Sequence, residues 1–212
     1  AEAGEALTLD ENIASIQFTG STQVGRMVGA NAGKTLKKVS LELGGKNSLI
    51  ILDDADIERA AENIVWGAFL HSGQICMTSG KILVQEAIYE RLKARVTEKT
   101  RQLVVGNPAQ ENVTIGPLID EKQCRRVADL VQAAVTHGAR LETGGDAQGV
   151  FFRPAVLSGV SKNNPVFHEE IFGPVAVLIP FADDAEAVEL ANDGDYGLSA
   201  GIITGNVGRG MQ

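Results

Sequence analysis

The sequence predicts an α/β fold in which helical crossovers join the strands of a largely parallel sheet. Three observations predict it. Short apolar runs with strand patterning alternate with longer stretches at helical spacing, capping and turn residues fall between them, and neither an internal repeat nor a low-complexity linker interrupts the alternation. The 212 residues are 44% hydrophobic with a mean hydropathy of +0.02, enough to bury the core of one or two domains.

In chain order, Ile13–Phe18 alternates apolar and polar residues and reads as a strand, followed by the turn Thr19-Gly-Ser-Thr22 and a helix with Val24, Met27, Val28 and Ala32 on one face. Lys38–Leu43 is a strand stopped by Gly44-Gly45, and Ser48–Leu52 is apolar after its first residue, as a buried strand would be. Asp53, Asp54 and Asp56 supply N-cap chemistry for a helix over about 56 to 71. Lys81–Gln85 is a strand, Glu86–Leu103 a charged amphipathic helix, and Asp120–His137 another, closed by Gly138. Gly173–Phe181 reads as a Pro-bounded strand, Asp183-Asp184 open a helix, and Gly197–Thr204 is a last strand. A helix start near Asn206 and an N-terminus opening inside a βα unit give the expectation that the chain is a piece of something longer.

The formal net charge of -8 opposes the cationic footprint that a phosphate backbone requires, so nucleic acid is not an expected partner. No segment has the apolar length of a membrane span, and AEAGEALTLD lacks the basic-then-apolar order of a secretory signal. The expectation is a cytoplasmic protein without a membrane partner. Cys76 and Cys124 form no C-x-x-C, and His71, His137 and His168 are scattered, so no metal site is expected.

Four stretches carry candidate chemistry. Phe18–Gly25 places Gly20, Ser21 and Gly25 between a strand and a helix start, either a capped helix after a tight turn or a seat for a phosphate. Glu42 stands between Leu41 and Leu43 beside two glycines: held among apolar groups it suits a general base, whereas on the polar face of the strand it points to solvent. In His71-Ser-Gly-Gln-Ile-Cys-Met-Thr-Ser-Gly80, glycines flank a lone cysteine. Cys76 is either a small core residue or a nucleophile, and a helix starting just after it would favour the thiolate; His71 could serve as its base or simply end a helix. Glu169 and Glu170 are adjacent, so in extended chain they point to opposite faces and do not form a glycosidase-type pair; one could accept from ribose hydroxyls, or both could be surface charge.

FTGSTQVG at 18–25, LELGGKN at 41–47, GQICM at 73–77 and EEIFGPV at 169–175, in this order and at these separations, resemble the NAD(P)-dependent aldehyde dehydrogenase superfamily, and the likeness extends through GPLID at 116–120 and YGLSAGI at 196–202. KNSLIILDDAD and WGAFLHSGQICM look most like the bacterial benzaldehyde and vanillin dehydrogenases. The resemblance implies a three-layer catalytic domain with a mostly parallel sheet over 44–212, truncated at its C-terminal end, and the end of a Rossmann-like dinucleotide-binding domain over 1–43. It implies that Cys76 is the nucleophile, passing through a thiohemiacetal and a thioester, with its backbone N–H as one oxyanion donor, and that Glu42 is the general base. Gly20, Ser21 and Gly25 would meet the cofactor pyrophosphate, with Leu43 also on the cofactor side. Glu170 and Phe172 would hold the nicotinamide ribose and flank the ring, and Gln123 would approach the adenosine ribose. NAD and NADP both stay open as the cofactor, and the partner is a small aldehyde, aromatic by the finer likeness.

Members of that family are longer and form homo-oligomers. The resemblance implies that the upstream part of the dinucleotide domain, the asparagine half of the oxyanion hole and the C-terminal oligomer segment lie outside this sequence. The isolated chain is therefore expected to bind NAD poorly and to expose apolar surface. Two other classes stay open: a thiol-dependent esterase or acyltransferase working without dinucleotide, and a truncated, inactive copy kept for a structural or binding role.

Overall fold

A computed structural model describes residues 2–212, which form two compact units, one running through Gly44 and the other from Gly45 to Gln212. The first unit contains α1 (Glu2–Leu9), β1 (Ser15–Thr19), α2 (Thr22–Lys34) and β2 (Lys38–Glu42). β1 and β2 pair in parallel, Ser15 opposite Lys38 and Thr19 opposite Glu42, with α2 as their crossover. The Ser21 side chain caps α2 by accepting from the Val24 N–H at 3.3 Å. α1, which the patterning of the sequence did not reveal, is tied on by polar contacts: Asn31 donates to the Thr8 hydroxyl at 3.0 Å and the Lys37 ammonium to the Thr8 carbonyl at 3.0 Å.

The second unit contains β3 (Asn47–Ile51), α3 (Ile57–Phe69), β4 (Ser79–Gln85), α4 (Glu86–Arg101), α5 (Glu121–Thr136), β5 (Arg140–Thr143), β6 (Ala147–Gln148), β7 (Phe151–Phe152), β8 (Ala155–Ser158), α6 (Pro165–His168), β9 (Val175–Phe181), α7 (Asp184–Asn192), β10 (Ala200–Ile203) and α8 (Val207–Gly210). Six of the strands form one sheet in the order β10-β3-β4-β9-β8-β5, parallel throughout except for β5, which runs antiparallel along β8. The predicted largely parallel sheet is thus present.

Strand alternation builds three layers. Ile51, Ile82, Val84, Val156, Ala176 and Leu178 face one way, into a core completed by Ala60, Ile64 and Ala68 of α3 and Leu92 and Val96 of α4. Ile50, Leu83, Leu157, Val177 and Ile179 face the other way, toward Val127 and Val131 of α5, Phe167 of α6 and Leu190 of α7. Every central strand is covered on both faces, which is why Ser48–Leu52 and Val175–Phe181 read as continuous apolar runs. Among the described residues, no helix is long and apolar enough to cross a membrane.

One expectation is corrected, and one condition is not met. The helix expected to reach residue 71 ends at Phe69, and Leu70–Gly73 continues as a single 3-10 turn in which His71 and Ser72 take φ of 49° and 58°. No helix starts after Cys76: the residues Gln74–Thr78 form a turn, with the Thr78 N–H donating to the Ile75 carbonyl at 3.1 Å, and β4 follows at once. No helix dipole is therefore aimed at this thiol from the segment that follows it.

Candidate active site

The site in the second unit is a meeting of four loops around Cys76. The cysteine is free and half-buried, on a turn between the 3-10 segment and β4. Asn47, the first residue of β3 and itself buried, fixes that turn: its amide nitrogen donates to the Cys76 carbonyl at 2.8 Å and the Thr78 carbonyl at 2.9 Å, while its oxygen accepts from the Ser199 N–H at 3.0 Å. Gly45 lies against the same carbonyl, since a Cβ there would stand 2.7 Å from the Cys76 oxygen. Just upstream, Ser72 donates to the Gly116 carbonyl at 3.1 Å, and the Gln74 side chain accepts from the Ile119 N–H at 2.9 Å, so the GPLID segment braces the cysteine turn.

Glu170 also reaches Gly45. Its carboxylate accepts from the Gly45 N–H at 3.2 Å. Burial pushes the Glu170 carboxyl above the usual range, opposed by the Gly45 N–H and by the nearby charges of Arg126 and Lys46. Gly45 is therefore the shared neighbour of Cys76 and Glu170. Phe172 is 39% exposed and holds a φ of +54°, a conformation L residues seldom take. The side-chain nitrogen of Gln123, on α5, donates to the carbonyls of Phe172 at 2.7 Å and Ile171 at 3.3 Å.

The remaining predicted site residues cluster at one end of the first unit. The Gly20 N–H donates to the Glu42 carbonyl at 3.0 Å, and Gly25 packs on Leu43, whose Cδ2 would lie 2.4 Å from a Cβ at that glycine. Glu42 is the last residue of β2, and its side chain is exposed, so the carboxylate is not enclosed among Leu41 and Leu43. His71 is exposed and, among the described residues, makes no side-chain hydrogen bond to Cys76.

Sequence reasoning missed Asn47, Arg126 and Lys46. The first and last stand inside the LELGGKN stretch, but nothing in a sequence tells that Asn47 grips two carbonyls of a turn some thirty residues away. Lys46 is 6% exposed, and its ammonium nitrogen has no hydrogen-bond partner in the described structure. Burial lowers its pKa to about 7, helped by the neighbouring charge of Lys81 and opposed by Glu170 and Glu169. Lys81, by contrast, is satisfied by the carbonyls of Leu190 at 3.0 Å and Asp193 at 2.7 Å.

The model of the aldehyde dehydrogenase family matches residues 1–212. The chain belongs to the aldehyde dehydrogenase family. Among curated relatives it is 45% identical over 210 residues to the vanillin dehydrogenase of Amycolatopsis sp., covering 99% of this chain and 43% of that protein. It is 44% identical over 211 residues to the NAD(+) benzaldehyde dehydrogenase of Pseudomonas putida, covering 100% of this chain and 43% of the relative. The crystal structure of an NAD-dependent aldehyde dehydrogenase from Sinorhizobium meliloti superimposes with a TM-score of 0.97 at 38% identity, covering 99% of this chain and 42% of that one. The chain thus spans a little under half the length of the relatives it matches. The family expected from the four motifs, and its vanillin and benzaldehyde branch, are borne out, as is the mostly parallel α/β class.

Proposed function

We propose that this chain carries the thiol chemistry of an enzyme that oxidises an aldehyde, aromatic by the names of its relatives, to the carboxylic acid with NAD or NADP. The observation that carries the reading is the half-buried free thiol of Cys76, on a turn held by Asn47 and lying against Gly45, with the Glu170 carboxylate accepting from the N–H of that glycine. The Cys76 sulfur adds to the aldehyde carbonyl to form a thiohemiacetal, and its own backbone N–H, on a turn that cannot swing away, is one donor to the oxyanion.

Each unit, taken by itself, offers groups that suit a dinucleotide. The Ser21-capped start of α2 offers the N–H groups of a helix first turn to a phosphate, Gly20, Gly25 and Leu43 form the bend beside it, and the half-buried Glu170 carboxylate suits ribose hydroxyls. In this reading Phe172 flanks the nicotinamide, and the hydrogen bond from Gln123 to the Phe172 carbonyl supports that segment. A bound dinucleotide would supply the hydride acceptor for the thiohemiacetal carbon, and Cys76 would keep the acyl group as a thioester. Glu42, exposed and free to take a proton from water, then acts as general base for hydrolysis of the thioester, and the acid leaves with the thiol restored.

The test is aldehyde oxidation by the full-length protein, followed as NADH or NADPH absorbance with benzaldehyde. C76A is expected to lose at least a thousandfold in turnover, with C124A close to the parent. Retention of aldehyde oxidation by C76A overturns the reading. E42Q is expected to keep a rapid first burst of reduced cofactor and to lose steady-state turnover by about a hundredfold, in line with the usual worth of a general base. A proportional loss of burst and turnover would place Glu42 before the thioester.

A further inference from the structure

Arg126 stands one turn beyond Gln123 on α5, so the two side chains share a face of the helix. Its guanidinium donates through Nη1 to the Ile171 carbonyl at 2.7 Å and through Nη2 to the Glu170 carbonyl at 2.9 Å. With Gln123 on the carbonyls of Ile171 and Phe172, three consecutive backbone oxygens are drawn to one helix. The nearest carboxylate, Glu169, stands only at 4.0 Å from Nη2 and is exposed, so the arginine is a backbone clamp before it is an ion pair.

The clamp has a geometric consequence. With its carbonyl held toward α5, Glu170 is set to send its carboxylate to the Gly45 N–H at 3.2 Å. Phe172 sits at a φ of +54°, a strained position that persists only where the surroundings over-determine it, and the carbonyls on either side of its α-carbon unit are those that α5 grips. We infer that Arg126 is a positioning residue for cofactor use: by forking onto the Glu170 and Ile171 carbonyls it presents the Glu170 carboxylate and the Phe172 ring to the dinucleotide. The role needs the planar fork and not the charge alone, because an ammonium cannot reproduce two fixed N–H directions.

This rests on the reading that Glu170 and Phe172 face the nicotinamide riboside. The test uses the full-length protein with R126M and R126K. The parent is first assayed for dinucleotide-dependent benzaldehyde oxidation; a parent without it removes the functional reading and this inference together. With an active parent, R126M is expected to raise the KM for the dinucleotide at least tenfold. Its hydrolysis of p-nitrophenyl acetate by Cys76, measured without dinucleotide, should stay within twofold of the parent. R126K is expected to fall between the two. A dinucleotide KM within twofold of the parent in R126M overturns the inference alone, as does a parallel loss of ester hydrolysis, which would mark a general structural role. Because the Arg126 side chain is 44% exposed, its truncation leaves the core intact.

Discussion

Asn47, itself buried, gives both amide hydrogens to carbonyls of the cysteine turn and takes a third bond from Ser199. Replacing it with leucine, of similar size, takes that partner from three partly buried backbone groups, each costing about 1–3 kcal/mol where water cannot reach it. N47L should lower stability by roughly 2–4 kcal/mol, because relaxation and water recover part of that loss, and should slow acylation of Cys76 by about tenfold or more. Urea denaturation and rapid-mixing acylation measure the two, and a variant with an unchanged midpoint and acylation rate counts against the role. Residue identity was legible for the groups that stand in motifs, Cys76 and Glu170 among them. What was not legible is partnership across the fold: Asn47 and Arg126 are common polar residues until the turns they hold are brought to them. Glu42 shows the converse, since its apolar neighbours in sequence do not enclose it in space.

At the scale of elements, two glycines in left-handed backbone give contrasting outcomes. Gly73 closes the 3-10 turn before Cys76 with φ +69°, and a Cβ there would stand 2.2 Å from the Gly173 carbonyl oxygen, a backbone atom that cannot step aside. Gly138 ends α5 with φ +93° and has nothing within 4 Å of an added Cβ. G138A should therefore cost only the left-handed penalty of about 1–2 kcal/mol. G73A adds a backbone clash and should cost at least about 3 kcal/mol, of the order seen when core volume is overfilled. Equal denaturation midpoints for the two variants would rule out the close approach of Gly73 to the Gly173 segment. Helix starts were legible because their caps are chemical: Asp56, Asp120, Asp183 and Asn206 each accept from the N–H three residues on, as the sequence led one to expect. β5, β6, β7 and β8 were not, being of two to four residues each, too short for a period to declare itself. The 3-10 turn escaped for another reason, since left-handed φ at His71 and Ser72 is imposed by packing and not by residue type.

The largest scale concerns how charge inside the second unit sets its response to pH. Two lysines lie in its interior, and burial lowers the pKa of both; Lys81 is offset by Asp193, whereas Lys46 has no hydrogen-bond partner. Lys46 titrates at 10.5 in an ordinary setting and at about 7 in the native structure. Between those values the unfolded chain binds the extra proton and the native state does not, so stability rises with pH across this window. Below about pH 7 both states are protonated, and the native state then carries the whole cost of a buried ammonium. Each unit of displacement corresponds to about 1.4 kcal/mol, so the full effect is on the order of a few kcal/mol. Glu170 is displaced the opposite way, upward from 4.5, and its contribution falls away as pH rises through its native value. Urea midpoints of the full-length protein should therefore increase from pH 7 to pH 9.5. K46M keeps the length of the side chain without the amine; it should be more stable than the parent at pH 7 and should flatten that rise. Parallel pH profiles for parent and K46M would mean that the amine stays protonated in the native state, held by a partner outside these residues.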